Sequence, residues 1–263
     1  MSNIMRQSAS LLNRLDRELP EGLLAHSAWL RKKGYSRQLL GHYVAAGWLE
    51  RAAHGVFRRP RGTLSWQQAV VSLQTLLPDD PQAVGGRTAL ELQGYAHFLP
   101  RKIREIHLYG PRPLPTWLGK LPLEERFVHH NSRRLFGSGP SPDGLTFLPL
   151  GLWDWRIALS TPERALLELL DELPRHESFQ QVDTLMEGLP TLSPRRLQQL
   201  LVDCESIKVK RLFFFFADRH AHAWLKRLNK DRIDLGAGNR MLVAGGKLDR
   251  TYRITVPDDL DAV

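Results

Sequence analysis

The sequence is poor in cysteine, in long apolar runs and in anything resembling a leader. It has one cysteine, Cys204, so neither an internal disulfide nor a cysteine-rich zinc site can form. No stretch approaches the ~18 uninterrupted apolar residues of a membrane-spanning helix, so no membrane partner is expected. The opening residues MSNIMRQSAS contain no apolar segment of the secretory kind. Internal repeats and low-complexity tracts are also missing. These absences point to a soluble cytoplasmic protein. What remains is 263 residues, 42% hydrophobic and 25% charged. That is ordinary for a folded chain and long enough for one large domain or two ordinary ones.

Catalytic signatures are absent too. There is no GxGxxG or GxxxxGK[ST] loop to cradle a phosphate and no GxSxG elbow. No Asp or Glu stands two residues before any lysine, so the D/E-x-K element of many restriction-type nucleases is missing; Glu205-Ser206-Ile207-Lys208 has the wrong spacing. His129-His130-Asn131 alternate faces on a predicted strand, with no further ligand cluster beside them. His220 and His222, two apart on a predicted helix, do not share a face. The expectation is therefore no enzyme, no cofactor and no metal.

Charge is the strongest signal present. The chain carries a net charge of +9. Residues 1–62 hold 11 Lys/Arg against 4 Asp/Glu, whereas residues 63–263 hold 26 against 24. Under a quarter of the chain thus carries most of the excess, which suggests a local anionic partner such as nucleic acid. The segment Arg58-Arg59-Pro60-Arg61-Gly62-Thr63 contains Pro and Gly and no apolar residue, which marks a boundary. We therefore expect two domains, 1–62 and 63–263.

Periodicity within 1–62 predicts three helices and a hairpin. The helices cover 8–18, 22–33 and 37–46, with Gly34 and Gly47 as stops and Ser36 as the cap of the third. Trp48-Leu49-Glu50 and Val56-Phe57-Arg58 then read as hairpin arms. That order in a basic segment is the pattern of a winged helix-turn-helix. Leu39, Leu40, Tyr43 and Val44 share the inward face of the third helix, leaving Arg37, Gln38, Gly41 and His42 outward. Arg37, Gln38 and His42 would read base edges, mainly from the helix N-terminus. Lys32, Lys33, Ser36, Arg51, His54, Arg58 and Arg59 would hold phosphates or enter the minor groove beside the wing. A winged helix also binds proteins, and a basic face is sometimes only solvated.

Residues 63–263 read as a larger mixed α/β domain. Helices are predicted over 65–77, 86–95, 161–172, 178–187, 194–204 and 207–228, and strands over 103–109, 126–130, 145–148, 156–159 and 252–256. Residues 136–144 read as a surface loop. The fold class is therefore α+β rather than a doubly wound parallel sheet. Phe213–Phe216 point all round their helix, which suits a central, buried position. Lys208, Lys210 and Arg211 form a basic cluster that would meet DNA phosphates, an acidic partner or solvent. Cys204 follows an apolar run and reads as a buried thiol.

The segments Ser36–Arg51 and His54–Pro60 resemble the N-terminal winged helix of AbiE-type antitoxins, from type IV toxin–antitoxin (abortive infection) systems. Ser160–Leu170, Val209–Phe213 and Gly245-Gly246 with Tyr252–Pro257 resemble recurrent segments of the same family. The resemblance runs from about residue 8 to 257. Phe57 stands where the family pattern has Tyr, and the residues before 8 match nothing in it. The resemblance implies a repressor of its own operon, phage defence, and an antitoxin opposing a nucleotidyltransferase-like toxin. It also implies that the C-terminal domain assists cooperative repression. Helix-turn-helix proteins often occupy inverted repeats as pairs, and no coiled coil is evident, so a monomer that pairs on double-stranded operator DNA is expected. Two alternatives remain: a DNA-targeted enzyme with a degenerate nuclease-like C-terminal domain, and a regulator that binds a small effector.

Overall fold

The structure is a computed structural model that describes residues 11–79, 81–95, 103–137, 144–149 and 155–261. Residues 8–10 of the first predicted helix and 138–143 of the predicted loop lie outside the described residues. The chain forms two compact units. One comprises Met1–Pro81 with the returning segments Pro113–Phe127 and Pro149–Ile157, and the other holds the remainder. No helix among the described residues is long and apolar enough to cross a membrane.

The first unit opens with helix α1 (11–18), which buries Leu15, with Leu19 beyond its end. Here the structure departs from the expected 22–33 helix. Leu24–His26 is a strand, β1, and helix α2 covers only Ser27–Lys32. The cause is local and tertiary. Gly22 takes a left-handed φ of 84°. The short apolar run then pairs antiparallel with the later strand at Leu24↔Arg58, Ala25↔Phe57 and His26↔Val56. A run this short suits either state, and pairing decides it. His26 ends the strand and caps α2, its Nδ1 accepting from the Ala28 N–H at 3.2 Å. Helix α3 (Arg37–Ala45) begins as expected, with Ser36 Oγ accepting from Leu39 N–H at 3.2 Å. Strands β2 (Glu50–Ala53) and β3 (Val56–Arg58) complete a three-stranded sheet in the order β1-β3-β2. Helix α4 (Trp66–Leu76) starts in a capping box of Ser65 and Gln68. It packs on β1, where Ser72 Oγ accepts the Leu24 N–H at 2.8 Å. This contact groups α4 with the first compact unit.

The second unit is mixed α and β. Strands β4 (Ala83–Val84), β5 (Glu105–Gly110), β6 (Arg126–Asn131), β7 (Leu145–Pro149) and β8 (Arg156–Ser160) form one sheet in the order β6-β5-β4-β8-β7. The two-residue β4 pairs antiparallel with β5 and parallel with β8. Helices α5 (Gly86–Leu92), α6 (Arg133–Phe136), α7 (Pro162–Asp171), α8 (Phe179–Glu187), α9 (Pro194–Asp203) and α10 (Ile207–His220) follow in the chain. A small hairpin of β9 (Lys247–Asp249) and β10 (Ile254–Val256) closes it. α7 is central, packing against α5, α8, α9 and α10.

Glu163, Arg164 and Glu168 of α7 are buried and serve the packing. Glu168 is fully buried; its Oε1 accepts from Ser160 Oγ at 2.9 Å and Arg164 Nε at 2.8 Å, and its Oε2 accepts from Gly86 N–H at 2.9 Å. A Cβ on Gly85 would lie 2.3 Å from that carboxylate, so only glycine fits there. Glu163 accepts from Ser193 N–H at 2.7 Å and from Arg196 Nη1 at 3.0 Å, fixing the start of α9. Phe213–Phe216 are all buried, as expected of a central α10. Helix α10 stops at His220 rather than near 228, because Ala221 takes a left-handed φ of 48°. Beyond that stop the His220 and His222 rings stack 5.9 Å apart, although two positions apart on a continuous helix they would diverge. Cys204 is buried, and burial pushes its thiol up to about 11.

Candidate nucleic-acid interface

The outward face of α3 follows from its phase. Leu40 and Tyr43 are buried and Leu39 and Val44 half-buried, so Arg37, Gln38, Gly41 and His42 face solvent. The hairpin is aligned against this helix by its turn. Gly55, at a φ of 73°, accepts the Ser27 N–H at 2.8 Å through its carbonyl, which docks the hairpin tip on the start of α2. A groove of about 350 Å³ results between helix and hairpin, lined by Arg31, Arg37, Gly41, Arg51 and His54 among others. Leu40 and Phe57 form part of its floor, and the Arg51 guanidinium lies 5.8 Å from the Phe57 ring centre. At the groove's edge His26 is held below its usual range, first by burial and then by Lys120 and Arg31 nearby.

The groove's positive charge has an accounting behind it. The four acidic residues of 1–62 are Asp16, Glu18, Glu21 and Glu50, and each is tied to a cation. Asp16 holds Arg59 at 2.7 Å, Glu18 holds Arg14 and Lys33, Glu21 lies 3.5 Å from Arg59, and Glu50 holds Arg58 at 2.6 Å. Arg31, Lys32, Arg37 and Arg51 are left exposed. Of these exposed cations, Arg31, Arg37 and Arg51 line the groove, and no acidic residue does.

This pairing relocates three residues expected on phosphates. Arg58 is buried, with its Nε donating to Glu50 at 2.6 Å across the hairpin. Arg59 donates to the carbonyls of Asp16 and Leu19, both at 3.3 Å, and so fastens the end of α1 to the strand. Lys33 is half-buried, 3.4 Å from Glu18 and 5.4 Å from the Trp29 ring. Ser36 spends its hydroxyl oxygen on capping α3. Arg37, Arg51 and His54 are brought together around the groove; Gln38 and His42 stand beside it on α3, and Lys32 is exposed at the end of α2. Arg31 was not foreseen. Its signal lay in its position at the end of α2, six residues before Arg37, and became readable only once β1 shortened that helix.

The expected basic cluster on α10 is corrected by the structure. Arg211 is buried and donates to the carbonyls of Leu235 at 2.6 Å, Gly238 at 2.7 Å and Arg253 at 3.2 Å. Lys210 is buried, and Lys208 pairs with Asp171 at 3.1 Å and reaches the Leu173 carbonyl at 3.1 Å. Lys210 and Arg211 face inward because α10 is central, whereas Lys208 is half-buried at its start.

The histidines of β6 also have protein partners. His130 Nδ1 meets Glu172 at 2.7 Å, its Nε2 meets His107 Nδ1 at 2.9 Å, and its ring stacks on Tyr109 at 4.5 Å. Burial, and then the neighbouring His130, push His107 down to about 4. Burial would raise Glu172, but the hydrogen bond and charge of His130 outweigh it and hold the carboxyl below its usual range. Both ring nitrogens of His130 are thus committed within the protein.

The chain matches two family descriptions in sequence. Residues 8–101 match the AbiEi antitoxin N-terminal domain of transcriptional regulators, and residues 104–257 match the transcriptional regulator, AbiEi antitoxin, of type IV toxin–antitoxin systems. The backbone is similar to the crystal structure of the RV2827C protein from Mycobacterium tuberculosis. The TM-score is 0.56 at 16% identity, covering 94% of this chain and 90% of that one. At that identity the likeness concerns the fold alone. No curated protein is significantly similar in sequence. The two family matches extend through both compact units, so the chain belongs to the AbiEi antitoxin family of transcriptional regulators of type IV toxin–antitoxin systems.

Proposed function

We propose that the N-terminal unit is a winged helix-turn-helix that reads double-stranded operator DNA and represses the chain's own operon. The supporting observation is the groove between α3 and the hairpin, with Arg31, Arg37, Arg51 and His54 around it. Such a helix enters the major groove with its N-terminal residues towards the bases. Arg37 and Gln38 occupy that end and carry the bidentate donors and acceptors that guanine and adenine edges match. His42 lies one turn further along. Arg31, Lys32, Arg51 and His54 take phosphates on either side. The helix-and-wing surface is made by residues of 1–62, with α4 packed behind β1, and the second unit carries the antitoxin role against a nucleotidyltransferase-like toxin. The chain is a monomer that pairs on inverted repeats.

The experiment is a gel shift of the full chain on the DNA upstream of its own gene, with scrambled DNA as control at two salt concentrations. Preference for the upstream DNA is expected. Arg37→Glu should weaken that binding at least ~10-fold, since one base-reading arginine carries ~1–3 kcal/mol. Its melting temperature should stay within ~2 °C of the parent, because an exposed position has little stability to lose. Unchanged affinity in this variant would remove α3 from the role of reader.

A further inference from the structure

The second unit has a cleft of about 610 Å³ between β6, α6 and the segment that follows α7. That volume lies within the ~300–1,000 Å³ of small-molecule sites. Two carboxylates line it, and both are neutralised from within: Asp171 by Lys208 at 3.1 Å and Glu172 by His130 at 2.7 Å. Two arginines also line it, Arg134 and Arg175. Both are exposed, and among the described residues neither has an Asp or Glu within ion-pair distance. The inner charges therefore cancel while the rim keeps two guanidiniums. His176 stands beside Arg175 and adds a further nitrogen. Asn131, also in the lining, spends its carbonyl oxygen on the Arg133 N–H at 3.1 Å.

The rest of the cleft differs in character. Pro174 and Leu242 supply apolar surface, and Met241 is 76% exposed at its edge. Inorganic phosphate alone would use the guanidiniums and leave that surface wet. A ligand with an anionic end and a flat or apolar body uses both. Planar guanidiniums match phosphate oxygens in paired hydrogen bonds.

We propose that this cleft binds a small phosphorylated molecule of nucleotide size, with its phosphates on Arg134 and Arg175 and its body against Pro174 and the Met241–Leu242 wall. The site is independent of DNA reading, because every residue lining it belongs to the second unit.

The test is calorimetric titration of the full chain with ATP, GTP, CTP, UTP and pyrophosphate in turn, at physiological salt. At least one nucleotide should bind saturably at one site with a Kd below ~1 mM, more tightly than pyrophosphate. Replacing Arg134 and Arg175 together by alanine should weaken it at least ~10-fold. Arg175→Glu alone should do the same should the double variant fold poorly. The pair Lys226→Ala and Arg227→Ala, exposed cations outside the cleft, should leave the affinity unchanged. Failure of every probe to saturate would overturn the proposal. So would equal losses in the cleft and control variants, or binding of an acidic polypeptide such as polyglutamate with no nucleotide bound.

Discussion

In the N-terminal unit Arg31, Arg37 and Arg51 stand exposed around a groove, whereas in the C-terminal unit Arg164 and Arg211 are buried, the first tied to the Glu168 carboxylate and the second to three carbonyls. The same side chain thus does two kinds of work. An exposed guanidinium with its local carboxylates already paired elsewhere is available to an anion. A buried one exists only because carboxylates or carbonyls surround it, and there it fixes one arrangement of helices and loops. Net charge alone does not separate these cases. Among the basic residues of 1–62, Arg58 and Arg59 behave like those of the second unit, and the position of four acidic residues decides which is which.

The largest expected effect tests the buried side of this contrast. Glu168→Ala removes the carboxylate that faces Arg164, Ser160 and the Gly86 N–H. The arginine left behind is buried without its counter-charge, which costs about 3–5 kcal/mol. Denaturant unfolding of the full chain measures it, and a loss under ~1 kcal/mol would mean that water reaches Arg164 in the variant.

Acid should strike the second unit next. His107 is held at about 4 in the fold, against 6.5 when unfolded, so folding favours its neutral form. That contribution is whole above pH 6.5 and is lost as the pH falls towards 4. Between pH 7 and pH 5 the loss is about 2 kcal/mol, at 1.36 kcal/mol for each unit below 6.5. Glu172 acts in the same direction in a lower window: its contribution is present above the unfolded value and fades as pH drops through its lowered folded value. Comparing pH 7 with pH 5 sets Glu172 aside, and the substitution separates His107 from His26, which is also lowered. His107→Gln should lose clearly less stability than the parent over that interval, and an equal loss would assign the acid sensitivity to another group.

The exposed and buried arginines of the first unit can be set against each other directly. Arg51→Ala should reduce the salt slope of operator binding by about 1 and leave stability within ~0.5 kcal/mol. Arg58→Ala with Arg59→Ala should leave the slope nearly unchanged and cost about 1–3 kcal/mol of stability, since buried ties to Glu50, Asp16 and Leu19 are lost. A reversed outcome would return the wing phosphates to Arg58 and Arg59.

Much of this contrast was legible before the structure, and the failures have physical causes. Helix α3 announced itself through Ser36, Gly34, Gly47 and one apolar stripe, because caps and periodicity are local. So did the α+β character and the buried run Phe213–Phe216. β1 was hidden because Leu23–Ala25 is too short a run to choose its own state and takes it from β3. The two-residue β4 carries no periodicity at all. Lys208, Lys210 and Arg211 read as a surface cluster although the next turn was plainly internal; a buried helix encloses its neighbouring turn, and that inference was available. The ties of Arg58 and Arg59 were not legible, because their partners lie 8 positions away across the hairpin and 43 positions away in α1. Pairing over such spans is a property of the fold, which local pattern cannot contain.

The smallest effect is the sharpest probe of the groove. Gly41 sits mid-helix in α3, where glycine costs about 0.5–1 kcal/mol relative to alanine. A Cβ built there meets nothing within 4 Å, so the fold itself has no use for the missing side chain. Gly41→Ala should therefore raise stability by about 0.5–1 kcal/mol. If DNA enters the groove that Gly41 lines, the added methyl stands where the duplex must approach, and operator affinity should fall as stability rises. The two readouts move in opposite directions only for a residue kept small by something outside the chain. A variant that gains stability and keeps its affinity would place the duplex away from this stretch of α3 and leave Arg37, one turn earlier, as the deepest point of contact.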